Sequence, residues 1–217
     1  MKNRTYDPDL IPMPQQDLMN GCQLTDRQKL AERTNGVATR ANAVTLAGVA
    51  LVLAGCNRIK KGHYKSGLSA VMAGAACDFI DGQLSRHDRV AGYRCGRWLD
   101  IASDGIKSAA LVDALSKSEI YKGLEPAVNY SPKVASWAVN STSQFILGNE
   151  SKSSKSGKIA EASRWLSPTL AISAKILEKE GQPRASFLTR KAGHLATALS
   201  FTLGAKATKG YSRNLKR

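Results

Sequence analysis

The sequence predicts an all-α protein, organised as an integral membrane bundle of about six transmembrane helices behind an N-terminal amphipathic interfacial helix. Three observations carry that expectation. Residues 41–56 contain no charged side chain, and residues 66–77 are small and apolar. Between Asp78 and Asp104, four aspartates then recur at helical intervals. Asp78 and Asp81 stand three apart and share one helix face, and Asp100 and Asp104, four apart, share another.

Composition bounds the partners. A chain of 217 residues can fill one core or one small membrane bundle. Its net charge of +15 favours anionic partners: nucleic acid, acidic lipid or a phosphorylated substrate. Aromatic residues make up only 6% of the chain, and it lacks zinc-finger and basic-zipper patterns, which argues against nucleic acid. Cys22, Cys56, Cys77 and Cys95 show no Cys-x-x-Cys spacing and His63, His87 and His194 are scattered. A reduced compartment and ordinary structural roles follow. The first 30 residues do not read as a signal peptide.

Taken in order, residues 1–24 are polar and proline-containing, an extended tail. Thr25 with Gln28 forms a capping-box pattern that opens a short amphipathic helix over 26–34, stopped by Asn35-Gly36. A tail and juxtamembrane segment thus occupy 1–38, a membrane domain 39–206 and a basic tail 207–217. The uncharged run 41–56 is 16 residues, short of the ~20 that cross a bilayer, and a buried core helix competes as its explanation. Asn57 to Lys65 reads as a basic hinge. The Gly- and Ala-rich stretch 66–80 suits close helix packing in a membrane.

A third helix is expected over 97–116, and further helices over 126–147, 159–178 and 186–206. These later segments carry Lys133, Glu161, Arg164, Lys175, Glu178, Arg190, Lys191 and His194. A charge at mid-bilayer costs about 2.5–3.5 kcal/mol on insertion scales, so such side chains would face inward or sit at helix ends. Mean hydropathy is −0.28, low for six spans. With both termini inside, the inner segments contain Arg86, Arg89 and Arg94, then Lys152, Lys155 and Lys158, then the C-terminal cations, in keeping with the positive-inside tendency. Lys60, Lys61 and Lys65 fall outside and oppose it.

Four converging carboxylates repel one another unless a cation or protons neutralise them. An all-carboxylate set favours a hard ion, Mg²⁺ or Mn²⁺, over Zn²⁺. The whole stretch is Asp78-x-x-Asp81-Gly82-x-x-Ser85-Arg86-x9-Gly96-x3-Asp100-x3-Asp104. This resembles the signature of the CDP-alcohol phosphotransferases: Asp-x-x-Asp-Gly-x-x-Ala-Arg, eight or nine residues, then Gly-x-x-x-Asp-x-x-x-Asp. Seven of its eight fixed positions match, with Ser85 in place of alanine. Ala41-Asn42-Ala43-Val44-Thr45 is similar to that family's first-helix opening, and Ser156-Gly157-Lys158 resembles a Gly-Lys step of its glycerophosphate-type members.

The resemblance implies a six-helix, dimeric membrane fold with its active site on the cytoplasmic side. It implies transfer of a phosphatidyl group from CDP-diacylglycerol to a small alcohol, glycerol 3-phosphate first among the acceptors, with release of CMP. By position, Asp78, Asp81 and Asp100 would hold metal, and Asp104 would complete the cluster and act as base on the acceptor hydroxyl. Asp78, Gly82, Ser85, Arg86 and Gly96 would meet the CDP moiety, and Lys158 and Arg164 an acceptor phosphate. Arg86 offers a planar fork for phosphate oxygens, and the glycines let a nucleotide approach the backbone. Lys107, on the Asp100 side of its helix, reads as a balance to a carboxylate, and Asp113 as facing away. A catalytically silent CDP-lipid-binding membrane protein is the alternative, followed by a soluble basic protein that binds nucleic acid.

Overall fold

Thr25 opens the first helix as its sequence requires. In a computed structural model, which describes residues 25–88, 94–122, 130–131 and 155–214, helix α1 runs Asp26–Arg33. Both halves of the capping box form: Thr25 Oγ1 accepts from the Gln28 N–H, and Gln28 Oε1 accepts from the Thr25 N–H at 2.8 Å. Four long helices of the predicted set follow: α2 (Arg40–Lys60), α3 (Tyr64–His87), α4 (Arg94–Lys117) and α5 (Lys155–Lys179). A fifth, α6 (Pro183–Asn214), completes an all-α chain of six helices among the described residues. The predicted segment 126–147 lies outside the described residues apart from Tyr130 and Ser131, which are helical.

Three boundaries differ from expectation. The basic hinge is shorter than predicted, because α2 continues through Arg58 to Lys60. Cations in a last turn face the helix carbonyl end, which favours them there. The turn itself is Lys61 to His63, with Gly62 at φ +81°, a left-handed conformation that a β-carbon would strain. Ser156-Gly157-Lys158 lies inside the first turn of α5 instead of ahead of it. At the other end of α5, Gly181 at φ +73° and then Pro183 stop one helix and start the next.

The extension of α2 to 21 residues gives it about 31 Å of length, enough for a bilayer core. Among the described helices α2 alone is long and apolar enough to cross a membrane. The all-α expectation is met, with five long helices among the described residues, but a bundle of six membrane spans is not, since only α2 among them is apolar enough. The charges are the reason: α4 alone holds Arg94, Arg97, Asp100, Asp104, Lys107, Asp113 and Lys117.

The chain divides into two compact units. One holds Ala70–Ala109 and the chain up to Ala54, and the other holds Gly55–Ser69 with Ala110 onward. In the first, α2 and α3 meet at glycines. A β-carbon on Gly74 would lie 2.7 Å from the Gly48 carbonyl oxygen and 2.6 Å from Val52 Cγ2, and one on Gly48 would lie 2.9 Å from Cys77 Cβ. This is the close backbone approach that small residues permit. Gly74→Leu is expected to force the helices apart and lower stability by about 1–3 kcal/mol, read as a fall in thermal midpoint by scanning fluorimetry.

In the second unit, Gly67 packs on Ile59 and the Gly55 carbonyl in the same way. Ser186 Oγ donates to the Ala174 carbonyl at 2.8 Å, tying α6 to α5. Two lysines of the 60–65 region have partners here. Lys60 pairs with Asp113 at 3.2 Å, Lys65 with Glu180. Asp113 also meets Lys117 at 2.9 Å, so it is a structural counter-charge.

Candidate functional site

The site is built within the first unit on the C-terminal half of α3 and the N-terminal half of α4. The close α2–α3 approach sets its floor. It brings Thr45 Oγ1 to 2.5 Å from Asp81 Oδ2, and both side chains are buried. One turn earlier on α2, Asn42 Nδ2 donates to the Gly36 and Val37 carbonyls at 2.7 and 2.9 Å, fixing the entry into the helix. A β-carbon on Gly96 would lie 3.5 Å from Asn42 Oδ1. The Asn42 and Thr45 of the first-helix motif thus reach the site directly, a role that the sequence left unassigned.

The four aspartates do converge. Asp78 and Asp81 come from α3, Asp100 and Asp104 from α4, and Asp100 lies within electrostatic reach of the other three. The organising element, however, is a lysine. Lys107 is fully buried and is the largest such side chain described. Its ammonium hydrogen-bonds directly to Asp78 Oδ1 and stands 3.6 Å from Asp104 Oδ1. A lysine is almost never buried to this degree without a counter-charge. Here two carboxylates supply it, and the reading of Lys107 as a balancing charge holds.

This arrangement bears on the expected metal. Among the described residues, no three His, Cys, Asp or Glu side chains are placed so as to share an ion. The donor chemistry suits Mg²⁺, all oxygen and anionic. The geometry does not fit it as it stands, because the Lys107 ammonium occupies the place between Asp78 and Asp104.

At the positions that the resemblance assigns to the nucleotide, the Arg86 guanidinium lies over Gly82: a β-carbon there would be 3.7 Å from Nη1 and 3.9 Å from Nη2. Arg86 is exposed, and Gly82 and Ser85 are half-buried beside it. Three cations near the signature fall outside what is described: Arg89 altogether, and the side chains of Arg94 and Arg97 on α4. The side chains of Lys158 and Arg164 on α5 are likewise outside it. The expectation that these two meet an acceptor phosphate thus falls outside the described side chains.

Just past α3, Asp88 forms a knot that the sequence did not disclose. Its carboxylate takes a two-pronged hydrogen bond from Arg40, Nε at 2.9 Å and Nη2 at 2.6 Å, and further contacts from Arg27 at 3.3 Å and His87 Nδ1 at 3.2 Å. The Arg40 hydrogen bonds, aided by those of His87 and Arg27, hold the Asp88 carboxyl down at about 2. Because the folded value lies below the ordinary 3.8, the unfolded chain binds more protons between the two. The contribution is whole above about pH 4 and is lost as pH falls toward 2. Arg40 and Arg27 are about half exposed and screened by solvent, so its size is about 1–2 kcal/mol. Asp88→Asn should remove it at pH 7 and flatten the decline in thermal midpoint between pH 4 and pH 2.

The second unit contains a separate concavity of about 400 Å³. Lys122, Arg190 and His194 are among its lining residues. Its floor is a hydroxyl chain, Tyr121 Oη to Ser167 Oγ at 3.1 Å and Ser167 Oγ to Thr197 Oγ1 at 2.7 Å. Arg190 is paired with Glu178 at 3.2 Å.

No family model, curated protein or solved structure matches the chain. The likeness to the CDP-alcohol phosphotransferases therefore rests on the Asp78–Asp104 signature and the short motifs beside it.

Proposed function

We propose that the protein is a membrane-bound CDP-alcohol phosphotransferase that moves a phosphatidyl group from CDP-diacylglycerol to a small alcohol and releases CMP. The observation that carries this is the eight-position signature from Asp78 to Asp104, with seven positions matched at the family's spacing. The convergence of its four carboxylates on two helices, and of Arg86 over Gly82, is consistent with it.

The membrane setting has support of its own. The described helices bury Lys107, Ser103, Asp81, Asn42 and Thr45 in one unit and Ser163, Ser167, Ser186 and Ser200 in the other. They expose Leu46, Leu51, Leu53, Met72, Phe79 and Ile106, and on α6 Phe187, Leu188, Leu195 and Leu199. Large apolar side chains left outside, with polar side chains buried beside the apolar ones within, suit helices bathed in lipid. The reading places the protein as a multi-pass, homodimeric bundle with its site facing the cytoplasm. Its partners are membrane lipids, CDP-diacylglycerol and an alcohol, with glycerol 3-phosphate the first acceptor to try.

In the reaction, the acceptor hydroxyl oxygen bonds to the phosphorus that bears diacylglycerol, and the bond from that phosphorus to the CMP oxygen breaks. Asp104 takes the hydroxyl proton. Arg86 holds phosphate oxygens in a two-pronged grip and offsets charge on the departing CMP. Bare backbone at Gly82 and Gly96 leaves room for the nucleotide.

The test is CMP release from CDP-diacylglycerol by the purified protein in detergent or nanodiscs, with Mg²⁺ or Mn²⁺ and a panel of alcohols that includes glycerol 3-phosphate, inositol phosphate and serine. CMP release that depends on an acceptor is the expected result. CDP-lipid binding without release from any acceptor would instead identify a catalytically silent binding protein. The absence of both would overturn the assignment.

A further inference from the structure

The concavity of about 400 Å³ in the second unit has no part in the chemistry proposed above. On α6 it is lined from one helix face, where Arg190, Gly193, His194 and Thr197 stand at i, i+3, i+4 and i+7. Gly193 lets α6 approach α5 beside it, since a β-carbon there would lie 3.6 Å from the Ser167 carbonyl oxygen. Tyr121 and Ser167 are buried, so the hydroxyl chain that joins them to Thr197 is a fixed, uncharged polar floor. Two permanent cations, Lys122 and Arg190, line the space, and no Asp or Glu is among its described lining residues.

We infer that this concavity is a binding site for a phosphate group, carried by a small soluble ester or by a lipid headgroup. Arg190 supplies a planar fork and Lys122 a point charge, donors that suit tetrahedral phosphate oxygens. Neither has to be unpaired for this. A guanidinium and an ammonium each carry several N–H donors, so each can hold a protein partner and a phosphate oxygen together. Glu178 accepts from Arg190 Nη2 at 3.2 Å and also from Lys175 at 3.3 Å, so one carboxylate is shared between two cations and does not cancel both. The net charge of +15 favours an anionic partner, and a space of this size takes a compact group and is too small for a nucleic-acid duplex. Ile120 and Ala171 offer apolar surface to the organic part of the ligand. None of these residues belongs to the Asp78–Asp104 signature, so the site stands or falls apart from the transferase reading.

The test is isothermal titration of the full chain in detergent, without CDP-lipid, using glycerol 3-phosphate as probe and glycerol and succinate as controls. A parallel arm compares retention of phosphatidylglycerol and phosphatidylcholine by native mass spectrometry. At least one of the two phosphate probes, glycerol 3-phosphate or phosphatidylglycerol, should bind, and Arg190→Gln and Lys122→Gln should each weaken that binding about tenfold or more. Both side chains are exposed, so each variant should keep its thermal midpoint. Arg86→Ala is the positional control and should retain the binding, which separates this concavity from the turn of α3 that carries Arg86. Saturation by glycerol 3-phosphate identifies a soluble phosphate ester as the ligand, and selective retention of phosphatidylglycerol alone identifies a lipid headgroup. The site is overturned if neither phosphate probe binds, if succinate binds as tightly, if both variants bind as the unmodified protein does, or if Arg86→Ala abolishes the binding. CMP release is read separately, and its absence overturns the transferase reading while leaving this result standing.

Discussion

Asp104→Asn is expected to lower CMP release by about 10²- to 10⁴-fold, the usual worth of a positioned general base. The substitution keeps the shape of the side chain and removes the carboxylate oxygen that receives the hydroxyl proton in the proposed reaction. Lys107 keeps its direct bond to Asp78 in this variant. The split between parameters is informative. A group that acts on the acceptor proton lowers kcat and leaves the KM for CDP-diacylglycerol nearly unchanged, whereas a residue that binds the nucleotide would raise that KM. The assay is steady-state CMP release with acceptor in excess, alongside a thermal midpoint to confirm folding. Activity within about threefold of the unmodified protein would remove Asp104 from the chemistry.

The helix faces of the candidate site were more legible in the sequence than the charge arrangement between them. Three- and four-residue spacings are local, so Asp78 with Asp81 and Asp100 with Asp104 could be assigned to helix faces at once, and the structure brings the pairs together. The capping box at Thr25 was legible for the same reason. What decides Lys107 is not local. The sequence shows Lys107 as a balance to a carboxylate of its own helix, but not that its direct partner is Asp78, 29 positions away. Asp88 was invisible for the same cause, since its partner Arg40 lies 48 positions distant. Helix ends slipped where charge misled: Arg58 and Lys60 looked like a hinge and are the last turn of α2. The charges of the later helices count against a membrane in the sequence, which does not show which of their other side chains are buried. In the structure Ser163, Ser167 and Ser200 are among the buried side chains, and Leu166 and Leu199 beside them are exposed.

Arg86→Ala should reduce kcat/KM by about 10²- to 10³-fold, the loss that follows removal of one oriented donor from a phosphoryl-transfer centre. Arg86→Lys should recover only part of it, since an ammonium restores charge but not the planar two-pronged grip. Stability should hardly move in either variant, because the side chain is exposed and its guanidinium rests on Gly82. Gly82 supplies the control that separates a substrate contact from a structural one. A methyl at that position would meet Arg86 Nη1 at 3.7 Å, an ordinary van der Waals distance. The free protein therefore accommodates Gly82→Ala without strain. If the nucleotide approaches the backbone there, Gly82→Ala will keep its thermal midpoint and raise the KM for CDP-diacylglycerol. A Gly82→Ala variant with unchanged KM, together with an Arg86→Ala variant that retains activity, would mean that the CDP group binds away from this turn of α3.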